Sequence, residues 1–255
     1  MTVHEAASVG FSSQAEAYRR GRPEYPAAMD DWLVDRLGLR GGRTVVDLGA
    51  GTGKFTRRLL ATGAQVTAVE PVAAMRAQFA LTAPDTLVID GSAEAIPLPD
   101  ASADALVCAQ SFHWFANAAA LAEIHRVLKP NGVLGLVWNV RDERVDWVAA
   151  ASRLIQPFEG SVPRYHKGDW QRLFPAPGFG PLDQSVFPHG HKGSVEQVLI
   201  DRILSVSFIA ALSDDRRSLI AAALRHLAAT HPDLAGHDEI VFPYRTEAFC
   251  CRRLP

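Results

Sequence analysis

Asp47 closes the apolar run Thr44-Val45-Val46, and glycines follow it at alternate positions, Gly49, Gly51 and Gly53. A carboxylate at such a tip suits a ligand carrying an amine, a hydroxyl or positive charge, and it weighs against phosphate. The glycines permit backbone angles that a side chain would forbid, and they let the main chain touch a ligand. Roughly 20 residues after the turn, the run Gln65–Val69 ends in Glu70 and Pro71. That is where an acid accepts hydrogen bonds from both hydroxyls of a ribose in nucleotide-binding α/β proteins. A third polar cluster, Gln110, His113 and Trp114, follows the apolar stretch 103–109. His113 suits a general base or a group that orients an acceptor. Arg141 suits a substrate carboxylate or a structural salt bridge. His189 and His191 are spaced to grip a metal, but no third ligand is evident, so no metal is expected and a solvated loop is the simpler assignment.

These residues need a scaffold that carries each to one crevice. A strand, a tight glycine turn and a helix N-terminus in succession are how open α/β sheets build such sites. The spacing rejects two familiar forms: a dinucleotide fingerprint needs glycine at Lys54, and a phosphate-binding P-loop needs glycine at Leu48 and Ser or Thr at Phe55. Apolar periodicity and turn residues predict helices over 27–39, 54–62, 118–128, 145–158, 196–211 and 214–229. They predict further strands over 65–71, 86–90, 103–109, 133–139, 182–187 and 239–251, with a turn at 129–132 and a loop at 163–181. Segment 11–26 reads as a short helix to Arg20, broken by Gly21 and Pro23. Leu219, Ile220, Ala223, Leu224 and Leu227 repeat at helical spacing, so the two helices after residue 195 can form a lid. Met75 either flanks a bound base or packs the core.

At 255 residues and 48% hydrophobic content, the chain can bury a sizeable core as one α/β domain with additions. Its net charge of −2, from 26 basic and 28 acidic residues, gives no electrostatic footprint for nucleic acid or an anionic membrane. Cys108, Cys250 and Cys251 form no C-x-x-C pair or zinc spacing. With no signal-peptide pattern over 1–10 and no bilayer-length apolar run, a cytoplasmic protein is expected.

The stretch Val46-Asp47-Leu48-Gly49-Ala50-Gly51-Thr52-Gly53 resembles the first motif of class I S-adenosylmethionine-dependent methyltransferases. The resemblance implies a Rossmann-like, mostly parallel seven-stranded sheet in order 3-2-1-4-5-7-6, with its last strand antiparallel and helices on both faces. It implies S-adenosylmethionine as cofactor and S-adenosylhomocysteine as product. Asp47, Gly49, Ala50, Gly51, Thr52, Glu70, Pro71 and Met75 would surround the cofactor, with Gln110 near its methionine part. Gly91 to Pro99 resembles the family's adenine loop, with Ser92-Ala93 where Asp-Ala is common; Ser92 can still bond the adenine amine and the Ala93 N–H a ring nitrogen. Tyr18, Arg22, Pro23, Tyr25 and Pro26 are similar to the cofactor-covering segment of methyltransferases related to trans-aconitate methyltransferase, where an arginine suits the cofactor's carboxylate. His113-Trp114-Phe115 resembles a motif of the same relatives, and Leu128-Lys129-Pro130-Asn131-Gly132-Val133 is typical of the wider family.

The expected organisation is a covering segment and first helix (1–40), a cofactor core (41–140) and a C-terminal half with the lid and last strands (141–255). Trp114, Trp138, Asn139 and Arg141 would line the acceptor pocket, and His113 is the candidate catalytic residue. The expected reaction is methyl transfer to a small-molecule acceptor, with O- or carboxyl-methylation favoured, by a monomer or homodimer. Two alternatives are a cofactor-binding protein without turnover and a nicotinamide-dependent oxidoreductase; Lys54 and Asp47 weigh against the latter.

Overall fold

The computed structural model describes residues 22–255. Tyr18 and the short helix expected before Arg20 lie outside the described residues.

Seven strands form one sheet in the order β3-β2-β1-β4-β5-β7-β6. They are β1 (Thr44–Leu48), β2 (Gln65–Val69), β3 (Leu87–Ile89), β4 (Ala103–Ala109), β5 (Leu128–Arg141), β6 (Asp183–Ser194) and β7 (Glu239–Arg252). β1 pairs in parallel with β2 and β4, and β7 runs antiparallel to both β5 and β6. Central strands of such a sheet are covered on both faces and read as continuous apolar runs. β4 shows this directly, with every residue but its last buried.

Adjacent residues of β1 serve opposite faces. Val45 packs with Met29, Trp32 and Leu33 of α1 (Met29–Asp35) and with Leu59 of α2 (Thr56–Ala61). Val46 packs with Leu121, Ile124 and Val127 of α4 (Ala118–Val127). Each such aliphatic side chain contributes about 2 kcal/mol by leaving water. Between these two lies α3 (Ala73–Thr82), whose Phe79 packs on Ala68 of β2. Asn117 caps α4, its side chain accepting a hydrogen bond from the Ala120 N–H at 2.9 Å.

A second core sits at the far end of β7. α5 (Asp146–Ile155) and α8 (Asp214–Thr230) bury Trp147, Ile155, Ile220 and Leu224 against Phe242 and Tyr244. Residues 196–210 complete this second core, but not as the single helix that periodicity suggests. They divide into a π-helical segment Glu196–Asp201, α6 (Arg202–Leu204) and α7 (Ser207–Ala210). The Ser205 hydroxyl donates to the Arg202 carbonyl at 2.8 Å and Val206 turns extended, so the helix breaks there.

The structure corrects other expectations. The first crossover helix begins at Thr56, leaving Lys54 and Phe55 in the turn. The turn expected at 129–132 lies inside β5: Leu128 already pairs with Ala103, and Asn131 at φ +63° absorbs the register shift. The expected loop at 163–181 contains 3₁₀ turns at Tyr165–Lys167 and Asp169–Leu173, because its aromatics pack on the core, with the Trp170 ring tilted against Trp138 at 4.5 Å between centroids. β6 runs on to Ser194, so His189 and His191 are strand residues opposite Tyr244 and Phe242 rather than loop residues. In α8, Leu219 faces solvent and Ala221 and Ala228 take the buried stripe with Ile220 and Leu224.

Candidate active site

The carboxyl ends of β1, β2 and β4 open into one cavity. Among its lining residues are Arg22, Asp47, Gly49, Ala50, Gly51, Thr52, Glu70, Pro71, Met75, Ser92, Ala93 and Gln110. Every cofactor residue expected from sequence that lies among the described residues is therefore here.

The turn is built for close approach. Gly49 has φ +70°, and a Cβ on it would meet the Ser111 side chain at 2.7 Å. That closeness is useful: the Ser111 hydroxyl donates to the Leu48 carbonyl at 2.8 Å and pins β4 to the end of β1. Gly51, at φ +58°, has open space where a Cβ would stand, so its glycine serves backbone conformation and leaves room for a ligand.

Two carboxylates flank this turn. Glu70 is buried and braces it: one carboxylate oxygen accepts from the Gly51 N–H at 2.9 Å, the other from the Val72 N–H at 2.9 Å. Burial raises its pKa, and these two backbone bonds pull it back. Each oxygen keeps a lone pair for a hydroxyl. Asp47 is fully buried, and its Oδ2 accepts from the Thr56 hydroxyl at 2.6 Å. Its Oδ1 is buried with no hydrogen-bond partner. Burial pushes its pKa up to about 7, with the Glu70 charge adding to the rise and the Thr56 bond opposing it. An unpaired acceptor beside an open cradle is chemically incomplete and suits a cationic amine.

Gln110 leaves β4 at φ +58°, uncommon for a residue with a side chain, and its amide donates to the Asn139 carbonyl at 3.2 Å. This strained position joins the first cavity to a second. Arg22, Gln110, Trp114, Asn139 and Arg202 line both.

The second cavity contains His113, Trp138 and Arg141 as expected, together with Arg164, Tyr165, Arg202 and Arg245. Asn139 is committed to the scaffold: its Oδ1 accepts from Thr246 at 2.6 Å and its Nδ2 donates to the Glu24 carbonyl at 3.2 Å. Trp138 is fully buried against Tyr165 and Trp170, with ring centroids 4.8 Å and 4.5 Å away. Its indole N–H donates to Nδ1 of His113 at 3.1 Å. Nδ1 must then be the unprotonated nitrogen, and the proton sits on Nε2. Burial first, then the Arg164, Arg22 and His166 charges, hold the His113 pKa well below its ordinary value. The imidazole is thus a neutral N–H donor whose basic nitrogen is occupied.

Sequence patterns did not point to Lys54 as a site element. Its ammonium bonds the Arg22 carbonyl and pairs with Glu24 at 3.3 Å, fastening the strap 22–25 over the turn. Arg164 and Arg202 were also missed. They arrive from a loop and a broken helix with no local motif, and only the tertiary fold brings them to β5.

Comparison with known proteins gives the same picture at larger scale. Residues 46–136 match the model of a methyltransferase domain family. An uncharacterized methyltransferase-like protein of Schizosaccharomyces pombe is 39% identical over 96% of this chain and 96% of its own. An uncharacterized methyltransferase of Mycobacterium tuberculosis is 36% identical over 94% of this chain and 93% of its own. Among solved structures, a protein assigned as a type II methyltransferase from Anaeromyxobacter dehalogenans superposes with a TM-score of 0.64 at 25% identity, covering 92% of this chain and 99% of that one.

Proposed function

The chain belongs to the class I S-adenosylmethionine-dependent methyltransferases, and from that premise we propose that it methylates an oxygen of a small molecule seated in the second cavity. The observation that carries this is the joining of the two cavities through Gln110 and Trp114. Transfer needs the acceptor atom and the methyl carbon side by side and in line, and alignment of this kind supplies much of the rate enhancement.

The first cavity fits S-adenosylmethionine by its own chemistry. Asp47, with its unpaired Oδ1, would hold the amine, and Glu70 the ribose hydroxyls. Ser92 and Ala93 would meet the adenine, beside Met75. Arg22 would meet the carboxylate. Bound there, the cofactor supplies a methyl group on a positively charged sulfonium, an excellent leaving group. The acceptor oxygen forms its bond to the methyl carbon as the carbon–sulfur bond breaks, and that electron pair returns to sulfur.

Ionised carboxylate oxygens lose no proton in this step, whereas a hydroxyl must lose one. His113, with Nδ1 occupied by the Trp138 N–H, is poorly placed to take it. This supports an acceptor that arrives ionised, with His113 donating its Nε2–H to orient it. Calorimetric titration with S-adenosylmethionine, S-adenosylhomocysteine and NAD tests the cofactor. Binding of the first two and not the third is expected; no binding of either sulfur compound sinks the proposal. Transfer of labelled methyl groups onto a panel of carboxylic acids and phenols tests the acceptor.

A further inference from the structure

Arg22, Pro23 and Tyr25 form part of the first cavity's lining, yet residues 22–25 belong to no strand or helix. Side chains from three separate places catch their carbonyls. The Lys54 ammonium, in the glycine turn, donates to the Arg22 carbonyl. Asn139 of β5 donates to the Glu24 carbonyl at 3.2 Å. Arg58 of α2 donates to the Tyr25 carbonyl at 2.5 Å, and its guanidinium is itself fixed by both oxygens of Asp30 at 2.9 Å. The Tyr25 ring stands edge-on to Phe55, with centroids 4.7 Å apart.

Of these three holds, Lys54 is the cation that lines the cavity. Its side chain is 13% exposed, and it meets the Glu24 carboxylate at 3.3 Å. Arg57 shares that carboxylate from outside, at 3.0 Å to each oxygen. Burial lowers the Lys54 pKa, Glu24 opposes this, and the Arg22 charge adds to the lowering, so the two cations stand within electrostatic reach. The cavity therefore carries both signs. Asp47 and Glu70 bring carboxylates at the ends of β1 and β2, and Arg22 and Lys54 bring cations where residues 22–25 meet the turn. A ligand with an amine beside a carboxylate matches both.

We propose that Lys54 is a positioning residue for the cofactor's carboxylate: it clasps residues 22–25 to the glycine turn and so holds the Arg22 guanidinium where that carboxylate would meet it. The proposal deepens the methyltransferase reading and rests on it for the identity of the cofactor. Two equilibria become linked. A clasped strap presents Arg22, and a carboxylate held by Arg22 keeps the strap clasped, each favouring the other by the same factor. Removing the clasp lowers the fraction of molecules that present Arg22, and apparent affinity falls with that fraction. Ligands without the carboxylate do not share the loss.

The test is calorimetric titration of the full chain with S-adenosylhomocysteine and with its decarboxylated analogue, which keeps the adenosine, the sulfur and the amine. Lys54→Met keeps most of the stem and loses the ammonium. It should weaken S-adenosylhomocysteine binding by about tenfold and binding of the analogue by less than about twofold. Arg22→Gln should give the same pattern, and the double variant should lose no more than Arg22→Gln alone, because the two residues act as one unit. A lysine that merely supported the fold would lower Tm and weaken both ligands alike. Equal losses for the two ligands, no loss for S-adenosylhomocysteine, or additive losses in the double variant overturn the inference. Hydrogen exchange of the parent protein reads the same link without a substitution, should Lys54→Met fail to fold. At matched saturation, S-adenosylhomocysteine should protect the Glu24 and Tyr25 amides more than the analogue does; equal protection overturns the inference. A parent protein that binds neither ligand sinks the methyltransferase reading itself, whereas binding of both with an indifferent Lys54→Met sinks this inference alone.

Discussion

Asp47 is the residue where stability and function pull hardest against each other. Its pKa of about 7 in the folded chain stands above the ordinary 3.8, so the native state keeps a proton that the unfolded chain releases between those values. Stability therefore falls as pH rises from 3.8 through about 7, the reverse of a salt-bridged aspartate. Asp47→Asn keeps an acceptor for the Thr56 hydroxyl and removes the buried charge. At pH 8 it should raise Tm, by about 3 °C if about 1 kcal/mol is recovered, while cofactor affinity drops at least about tenfold. In the parent protein, affinity for S-adenosylmethionine should weaken as pH falls below 7, because protonation removes the charge that, on the proposed reading, would meet the amine. Calorimetry between pH 5.5 and pH 8.5 (roughly one and a half units either side of the titration) checks this; a flat profile would dissociate Asp47 from the cofactor. Glu70 poses the opposite case, since its carboxylate already serves the Gly51 and Val72 amides. Glu70→Ala should cost about 2 kcal/mol of stability from orphaned N–H groups and weaken S-adenosylhomocysteine binding. A folded variant with unchanged affinity would leave Glu70 a brace and nothing more.

The element that shapes the acceptor side is the carboxyl end of β5 with the segment folded over it. Trp138 is gripped by Tyr165, Trp170 and Phe249, and hands its N–H to His113. Strand, aromatic stack and imidazole tautomer are thus one unit. Trp138→Phe keeps most of the packing but releases Nδ1 of His113. It should leave S-adenosylhomocysteine binding intact, alter KM or kcat for the acceptor, and introduce a pH dependence from the freed nitrogen. Unchanged kinetics across pH would show that the tautomer plays no part. His113→Ala should lower turnover without loss of cofactor affinity, and an unaltered rate would leave His113 structural. The first cavity behaves differently as an element, because the glycine turn after β1 forms one of its walls from backbone. Gly49→Ala forces φ +70° on a residue with a Cβ and drives that atom to 2.7 Å from Ser111. A loss of about 2 kcal/mol, read by denaturant unfolding, is expected together with weakened cofactor binding.

Across the whole molecule, the two cavities differ in how much of them the chain announces. The cofactor wall is local. Asp47 to Thr52, Glu70, Ser92-Ala93 and Gln110 lie at or shortly after the carboxyl ends of successive strands, so apolar run, glycine and acid can be read in order along the chain. The acceptor wall is not. Arg202 meets Tyr244 and Asn139 meets Thr246 only because β7 returns antiparallel beside β5. Their spacing carries no period, and the expected helix breaks at Ser205–Val206, just after Arg202. The strand order came from family resemblance rather than from periodicity, which cannot rank strands within a sheet. The same division predicts unequal responses to salt. The chain carries a net charge of −2, yet the lining of its second cavity, the proposed acceptor side, gathers Arg141, Arg164 and Arg202, none of which closes an ion pair among the described residues. An ionised acceptor entering it gains from a field that ions screen over about 8 Å at physiological strength. The proposed cofactor contacts would be mostly buried hydrogen bonds with two charge pairs, at Asp47 and Arg22, inside a buried cavity that screening touches less. Raising NaCl about threefold from physiological strength should therefore lower kcat/KM for the acceptor several-fold while S-adenosylhomocysteine affinity changes by less than about twofold. Equal salt sensitivity of the two would mean that the arginines are not what draws the acceptor in.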